Sequence, residues 1–240
     1  MSNKKKWPES DIRSILSHIY ILCLAPGLVA LWLSFSARGE GHVFSMEILV
    51  HYLAAGCLFM LTLTLAITPL ARMLAQPNLG VIRRPFGLAA FGYAFAHWVA
   101  IFFLYEFNGT AIWFAFGVNP ALWAALLALL LMVPMALTAT HQSMHSLGVW
   151  WRRIHSAIYV VSILWLYYML KSFKVTIGDQ ILFCLICVLL LARVYHYYNV
   201  QSKKAQFYDF LDSKNKDNNK DEDKNKDEKY FKYNMDKYEI

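Results

Sequence analysis

The stretch WWRRIHSAIYVVSILWLYYML occupies residues 150–170 and places a short basic segment directly before a long apolar one. The apolar part, residues 154–170, has the composition of a helix that spans a membrane. His155 stands at the junction, two residues after Arg153. An ionisable side chain within a bilayer is energetically costly and usually has a partner or a ligand. The stretch therefore predicts a membrane helix with a functional histidine at its start.

Five further apolar runs predict that most of the chain is built from membrane helices. Of the 240 residues, 58% are hydrophobic and only 16% are charged, a composition that excludes a water-soluble domain. Each run is near the roughly 20 residues that cross the hydrocarbon core of a bilayer. The predicted fold is an all-α membrane protein, a bundle of six transmembrane helices at residues 15–35, 48–71, 87–105, 118–138, 154–170 and 177–192. We expect the first run to be retained, because it is too long for a cleaved signal peptide and lacks a cleavage site.

Lysines and arginines are concentrated on one side of the predicted bundle. They are Lys4, Lys5, Lys6 and Arg13 before the first span, Arg72, Arg83 and Arg84 between the second and third, and Arg152 and Arg153 between the fourth and fifth. The opposite loops contain only Arg38, Lys171 and Lys174. Basic loops stay on the cytoplasmic side of a membrane, so both termini are predicted to be cytoplasmic.

The predicted domain organisation is a cytoplasmic N-terminus at residues 1–14, a transmembrane domain at 15–200 and a charged tail at 201–240. The tail has ten basic and ten acidic side chains, so the net charge of +7 arises from residues 1–200 and reflects membrane topology. No nucleic-acid partner is predicted. The tail lacks the apolar surface that would offset its ordering entropy, and we expect it to be disordered. No glycine-rich dinucleotide fingerprint is present, so if the protein moves electrons, they must come from another protein or from the lipid phase.

His97 lies in the middle of the third apolar run, about 15 Å along the helix from Gly87. It is the only ionisable group within that run apart from tyrosines, and it could serve as an interhelical hydrogen-bonding group. It could instead be an axial ligand of haem iron, with His155 as the second ligand from the fifth span. His51, near the outer end of the second span, is either an interfacial residue or a further ligand.

Four arginines on the predicted cytoplasmic side are candidate anion-binding residues. Guanidinium groups form bidentate hydrogen bonds with carboxylates and phosphates, so these residues could hold haem propionates or a flavin phosphate. They could equally be positive-inside anchors. The four are Arg83, Arg84, Arg152 and Arg153.

Several motifs, in order along residues 10–200, resemble the MsrQ family, also called YedZ, which belongs to the ferric-reductase-like transmembrane domains. They are His51-Tyr52, LAITPLAR at 65–72, RRPFGL at 83–88, His97, TAT at 138–140, Leu147-Gly148, WRRIH at 151–155 and Tyr159. The resemblance implies a b-type haem protein of the bacterial inner membrane with one or two haems, and FMN is associated with the family. It also implies that the haem histidines are His97 and His155. A third family histidine falls on Tyr168, and Leu53-Ala54 replaces the usual Thr-Gly.

The resemblance further implies an electron-transfer subunit that does not itself act on methionine sulfoxide. Its electrons would come from the quinone pool or a cytosolic flavin reductase. They would pass to MsrP, a periplasmic molybdenum enzyme that reduces methionine sulfoxide in oxidised envelope proteins.

Two other functions are compatible with the sequence. One is a ferric-reductase-like b-cytochrome with a different acceptor at the outer face. The other is a non-redox membrane transporter or assembly protein that uses its histidines as hydrogen-bonding or proton-relay groups. The acidic residues Glu40, Glu47, Glu106 and Asp179 all lie at predicted helix ends, which argues against an ion-coupled carrier.

Overall fold

A computed structural model describes residues 9–40, 42–74, 76–171 and 176–235, and within these ranges every regular element is a helix. The α-helices are α1 (Glu9–Ser36), α2 (His42–Met73), α3 (Arg83–Leu104), α4 (Gly109–Val118), α5 (Ala121–Leu137), α6 (His141–Leu147), α7 (Val149–Ser156), α8 (Ile158–Lys171) and α9 (Ile177–Met235). Short 3₁₀ helices occupy Ala37–Glu40 and Pro77–Ile82. The predicted all-α class is confirmed.

Five segments are long and apolar enough to cross a membrane, namely Ser14–Ser36, Ser45–Met73, Leu79–Leu104, Val149–Lys171 and Ile177–Phe207. The fourth predicted span, at 118–138, coincides with α5. It joins α4 through a bend of 107° and adds a sixth span if the bent pair is counted as one. Pro120 follows Asn119 at the bend, and a residue before proline is disfavoured in helical conformation. The structure therefore contains the multi-pass bundle that the sequence predicts, with a break at the start of the fourth span.

Helix α2 lies at the centre of residues 1–189, packed against α3, α1 and α8, while α5 packs against α8. Cys57, Leu58 and Met60 on α2 are fully buried. The indole N–H of Trp165, on α8, donates a buried hydrogen bond of 2.9 Å to the carbonyl of Ala54. This bond connects two helices that are far apart in the sequence.

A tyrosine from α3 is inserted into the backbone of α1 beside Pro26. The Tyr93 hydroxyl donates to the Cys23 carbonyl at 2.5 Å and accepts from the Gly27 N–H at 2.9 Å. It thereby replaces the direct bond that these two backbone groups would make in a regular helix. A Cβ at Gly27 would lie 3.1 Å from the hydroxyl, so the close approach depends on glycine.

Residues 190–240 form a second compact unit, which contains the rest of α9. Its backbone is helical through Met235, including residues 201–235, for which composition predicts disorder. The division at residues 200 and 201 stays a prediction. So does the orientation of the termini, for which Lys4–Lys6 and Lys174 lie outside the described residues.

Candidate functional site

The imidazole of His97 is completely buried in α3, at the contact with α2 and α8. Its Nδ1 lies 2.9 Å from the carbonyl oxygen of Val50. Three aromatic rings surround it, with centroids at 5.1 Å for Tyr168, 5.5 Å for Trp165 and 6.3 Å for Trp98. Burial and these contacts hold the ring in one orientation.

The hydrogen bond to Val50 determines which nitrogen of His97 is available for other chemistry. A carbonyl oxygen can only accept, so Nδ1 carries the proton and Nε2 has a lone pair. Nε2 is buried and has no hydrogen-bond partner among the described residues. Metal-binding histidines typically have one nitrogen fixed by a carbonyl or carboxylate, which leaves the other for the metal. His97 therefore has the local arrangement of a metal ligand.

The imidazole of His51, on α2, is buried against the carboxylate of Asp179 at the start of α9. The distance between His51 Nε2 and Asp179 Oδ2 is 3.2 Å, and both side chains are less than a tenth exposed. The same carboxylate oxygen accepts from the backbone N–H and the hydroxyl of Thr176, at 2.8 and 2.7 Å. His51 also interacts electrostatically with His97. Asp179 thus connects α9 to the helix that orients His97.

Sequence reasoning assigned Asp179 only to a helix end, although the sequence contained a signal for its role. Thr176 Oγ1 accepts a hydrogen bond from the Asp179 N–H at 3.3 Å. The Asp179 carboxylate in turn accepts one from the Thr176 N–H. This is the reciprocal capping arrangement that the pattern Thr-x-x-Asp predicts. The capping pattern would have placed Asp179 on the first turn of α9, but not beside His51.

His155 lies on α7 in a more open environment than His97. It is half-buried, and its ring stacks on Trp151 with centroids 4.1 Å apart. Its Nδ1 lies 3.1 Å from the Trp151 carbonyl, and the backbone of Met135 also interacts with the ring. Arg84, from the start of α3, exerts an electrostatic effect on the same imidazole. One of the predicted arginines and the predicted ligand His155 therefore lie at the same end of the bundle.

The four predicted arginines have different environments. Arg84 is half-buried and its Nη2 lies 3.4 Å from the sulfur of Met144 on α6. Arg83, the first residue of α3, is also half-buried. Arg152 and Arg153 are exposed, and the Arg153 guanidinium lies 4.9 Å from the Trp150 ring centroid. This side of the bundle can offer guanidinium groups to an anionic ligand.

The structure brings together His97 and Tyr168, the position of the third family histidine, but it does not bring His155 to His97. Tyr168 contacts His97 directly and follows His155 by thirteen residues within one span, Val149–Lys171. Thirteen helical residues correspond to about 20 Å. This arrangement therefore places the two histidines at separate depths.

Curated proteins from several bacteria are similar to this chain over most of their length. A protein-methionine-sulfoxide reductase heme-binding subunit MsrQ from Cronobacter sakazakii is 32% identical over 178 residues, which cover 72% of this chain and 88% of that relative. The protein of the same name from Herminiimonas arsenicoxydans is 31% identical over 205 residues, or 79% of this chain and 88% of the relative. One from Klebsiella pneumoniae is 32% identical over 179 residues, with coverages of 72% and 89%. No protein-family model and no solved structure matches the chain.

Proposed function

Because the chain belongs to the MsrQ family, we propose that it is the haem-binding membrane subunit of a methionine sulfoxide reductase system. The observation that carries the proposal is the buried Nε2 of His97, which has no hydrogen-bond partner among the described residues. A buried polar atom without a partner is costly unless a ligand satisfies it. The names of the relatives identify haem as the ligand class.

The residues around His97 fit an axial ligand of haem b. The Val50 carbonyl fixes the tautomer, so Nε2 can donate its lone pair to iron without first losing a proton. Trp165 and Tyr168 provide apolar ring surfaces and exclude water from the site. The bond from Trp165 to Ala54 holds one of these rings in place.

His155 is the second proposed haem ligand, at a depth different from that of His97. Its Nδ1 is likewise directed at a backbone carbonyl, in this case that of Trp151. Arg83, Arg84, Arg152 and Arg153 are proposed to bind haem propionates or the phosphate of FMN at this end. A guanidinium group suits both ligands because its donors match carboxylate and phosphate oxygens.

Bound haem iron would supply one-electron chemistry, since it cycles between the ferric and ferrous states. We propose the bacterial inner membrane as the location and the quinone pool or a cytosolic flavin reductase as the electron source. The proposed acceptor is an MsrP-like molybdoprotein in the periplasm. The chain's own contribution is to hold the ligands at fixed depths and to keep water away from His97.

The proposal is tested by purifying the full chain from cells supplied with iron and recording its absorption spectrum. We expect a Soret band that shifts on reduction, followed by reoxidation when a methionine sulfoxide reductase catalytic subunit and methionine sulfoxide are added. Reoxidation by ferric iron or oxygen alone would instead favour a ferric-reductase-like cytochrome. Folded protein without haem would contradict the proposal and favour a non-redox membrane protein.

Tyr168→Phe identifies the ligand set, because it removes the hydroxyl and retains the ring that packs against His97. An unchanged Soret band would leave the two histidines as the proposed ligands. A lost or shifted band would identify the Tyr168 oxygen as a ligand. Tyr168→His provides the companion measurement, since an increased ratio of haem to protein would mean that this position determines the haem count.

A further inference from the structure

Helix α4, Gly109–Val118, lies between two membrane-spanning helices but is not needed to cross the membrane itself. Helix α5 has 17 residues, equivalent to about 25 Å, so it nearly spans the hydrocarbon core alone. The 107° angle between α4 and α5 directs α4 away from the axis of that span. Helix α4 therefore lies across one end of the bundle, at the end of α3 opposite Arg83.

Both faces of α4 are apolar. One face packs inward, where Phe116 stacks on Trp98 of α3 at 5.8 Å and contacts Trp123 of α5 at 4.7 Å. Trp113 borders this packed face, with its ring centroid 6.2 Å from that of Trp123, and Phe114 lies on the opposite face, yet the two side chains are 72% and 73% exposed. The helix has no charged residue. A surface helix in water has a polar outer face, so the outer face of α4 is not suited to water.

The irregular backbone at both ends of α4 is satisfied within the protein. The Asn108 side chain accepts from the N–H groups of Thr110 and Ala111 at 3.1 and 3.3 Å. The Asn119 side chain accepts from the N–H of Ala121 at 3.1 Å, at the start of α5. Backbone groups that lack water must find such partners, as they do in proteins embedded in lipid.

We propose that α4 is an in-plane membrane anchor, seated at the boundary between lipid headgroups and acyl chains with Trp113 and Phe114 inserted into lipid. Tryptophan is enriched at this boundary. Phe102 and Phe103, near the adjoining end of α3, are also exposed apolar side chains. The absence of charged side chains within helix α4 itself favours lipid over a protein partner.

The anchor also sets the depth of the candidate site. Phe116 packs against Trp98, and Trp98 is adjacent in sequence to His97. A displacement of α4 along the membrane normal would therefore move the segment of α3 that carries His97. This consequence does not require any particular ligand at His97.

A depth measurement in vesicles tests the anchor. The full chain, with its four cysteines replaced by alanine, is labelled with a nitroxide at Phe114→Cys and reconstituted into phosphatidylcholine vesicles. Collision rates with oxygen and with a water-soluble nickel chelate report depth. We expect the label to lie about 5–10 Å below the headgroup surface, as for helices seated at the interface.

Two labelled controls bracket this value. Ser146→Cys lies on an exposed position of the polar helix α6, and Leu130→Cys lies at a 57% exposed position in the middle of α5. The oxygen-to-nickel ratio at position 114 should fall between these two controls. A ratio equal to that at 146 would overturn the anchor and indicate a surface open to a protein partner. A ratio equal to that at 130 would overturn it as well, because α4 would then form part of a transmembrane span.

A second measurement avoids replacing the native cysteines. Quenching by lipids brominated at different depths is compared between the native chain and Trp113→Phe, and the difference isolates Trp113. The anchor predicts strongest quenching by bromines near the headgroups. No quenching of Trp113 at any depth would contradict it.

Discussion

The regions around His97 and His155 share a contact of Nδ1 with a backbone carbonyl but differ in their surroundings, since the Met135 backbone also interacts with the His155 ring. In each, Nδ1 of the histidine is directed at a backbone carbonyl, from Val50 in one case and Trp151 in the other. His97 is fully buried within aromatic rings contributed by two helices, whereas His155 is half-buried beside exposed arginines. The bond of Nδ1 to a carbonyl leaves Nε2 for a metal, and the burial of the ring determines whether water or other groups can reach it.

This difference suits two tasks of the electron-transfer subunit that we propose. A closed site excludes water and keeps its ligand in place, while a site near the surface can meet a soluble donor or an anionic group. The buried pair of His51 and Asp179 reinforces the His97 region. Variants made in matched pairs can test whether the two regions differ as the structure indicates.

The largest expected effect is loss of haem from His97→Ala. Removal of this imidazole eliminates the proposed ligand and leaves a cavity at a position without solvent access, so the haem-to-protein ratio should fall by at least about tenfold. His155→Ala should also lower the ratio, but less, because its site is open to water or another side chain as a replacement ligand. The Soret absorbance divided by protein concentration measures both.

His18→Ala is the control, because His18 is exposed and its Nδ1 contacts only the carbonyl of Ser14 in its own helix. It should retain its full haem content. If both His97→Ala and His155→Ala kept unchanged spectra, the ligand assignment would be wrong. Equal losses in the two would remove the distinction between a closed and an open site.

The next effect concerns the pair of His51 and Asp179 that supports the His97 region. Asp179→Ala removes the carboxylate beside His51, which also accepts two hydrogen bonds from Thr176. It should lower the free energy of unfolding by about 3–5 kcal/mol, since each bond to a carboxylate contributes about 1.5–3 kcal/mol. His51→Ala should cost less, since the carboxylate then keeps both bonds to Thr176. Denaturation of the protein in mixed detergent micelles measures the difference, and a larger loss in His51→Ala would contradict this order.

Two indole hydrogen bonds provide a smaller and closely matched comparison. Trp165 donates to the buried carbonyl of Ala54 at 2.9 Å, and Trp151 donates to the partly buried carbonyl of Thr138 at 3.0 Å. Trp165→Phe should destabilise the protein by about 0.5–1.5 kcal/mol because it removes one buried hydrogen bond. Trp151→Phe should lower the free energy of unfolding by less, because water can replace the indole at the partly buried Thr138 carbonyl. Equal shifts in Tm would show that burial does not distinguish these bonds.

The continuous apolar runs were sufficient to predict the bundle, because each membrane span must satisfy its backbone internally as a helix. Hydropathy did not predict the bend at Asn119-Pro120, because the residues on both sides of it are apolar. Hydropathy also did not predict the contacts of His51 with Asp179 and of Trp165 with Ala54, for another reason. They join helices remote in sequence, and hydropathy specifies that helices pack but not which polar atoms meet.

His97 itself was predictable because it is the one imidazole in the third apolar run. The residues around His97 were not predictable, because the depth of α8 relative to α3 depends on helix packing, which local sequence patterns do not specify. The thirteen-residue spacing from His155 to Tyr168 was visible in the sequence, yet only the contact between Tyr168 and His97 shows at which depth His97 lies.

The smallest expected effect belongs to the exposed region beside His155. The Arg153 guanidinium lies 4.9 Å from the Trp150 ring centroid, and both side chains are exposed. A double-mutant cycle with Arg153→Gln and Trp150→Leu should give a coupling free energy of about 0.5–1 kcal/mol. A coupling free energy of about 2 kcal/mol or more, as for a desolvated cation–π pair, would mean that this surface is shielded from water in the membrane-bound protein. The open environment assigned to His155 would then be wrong, because a buried Trp150 would mean that the nearby His155 is also shielded from water.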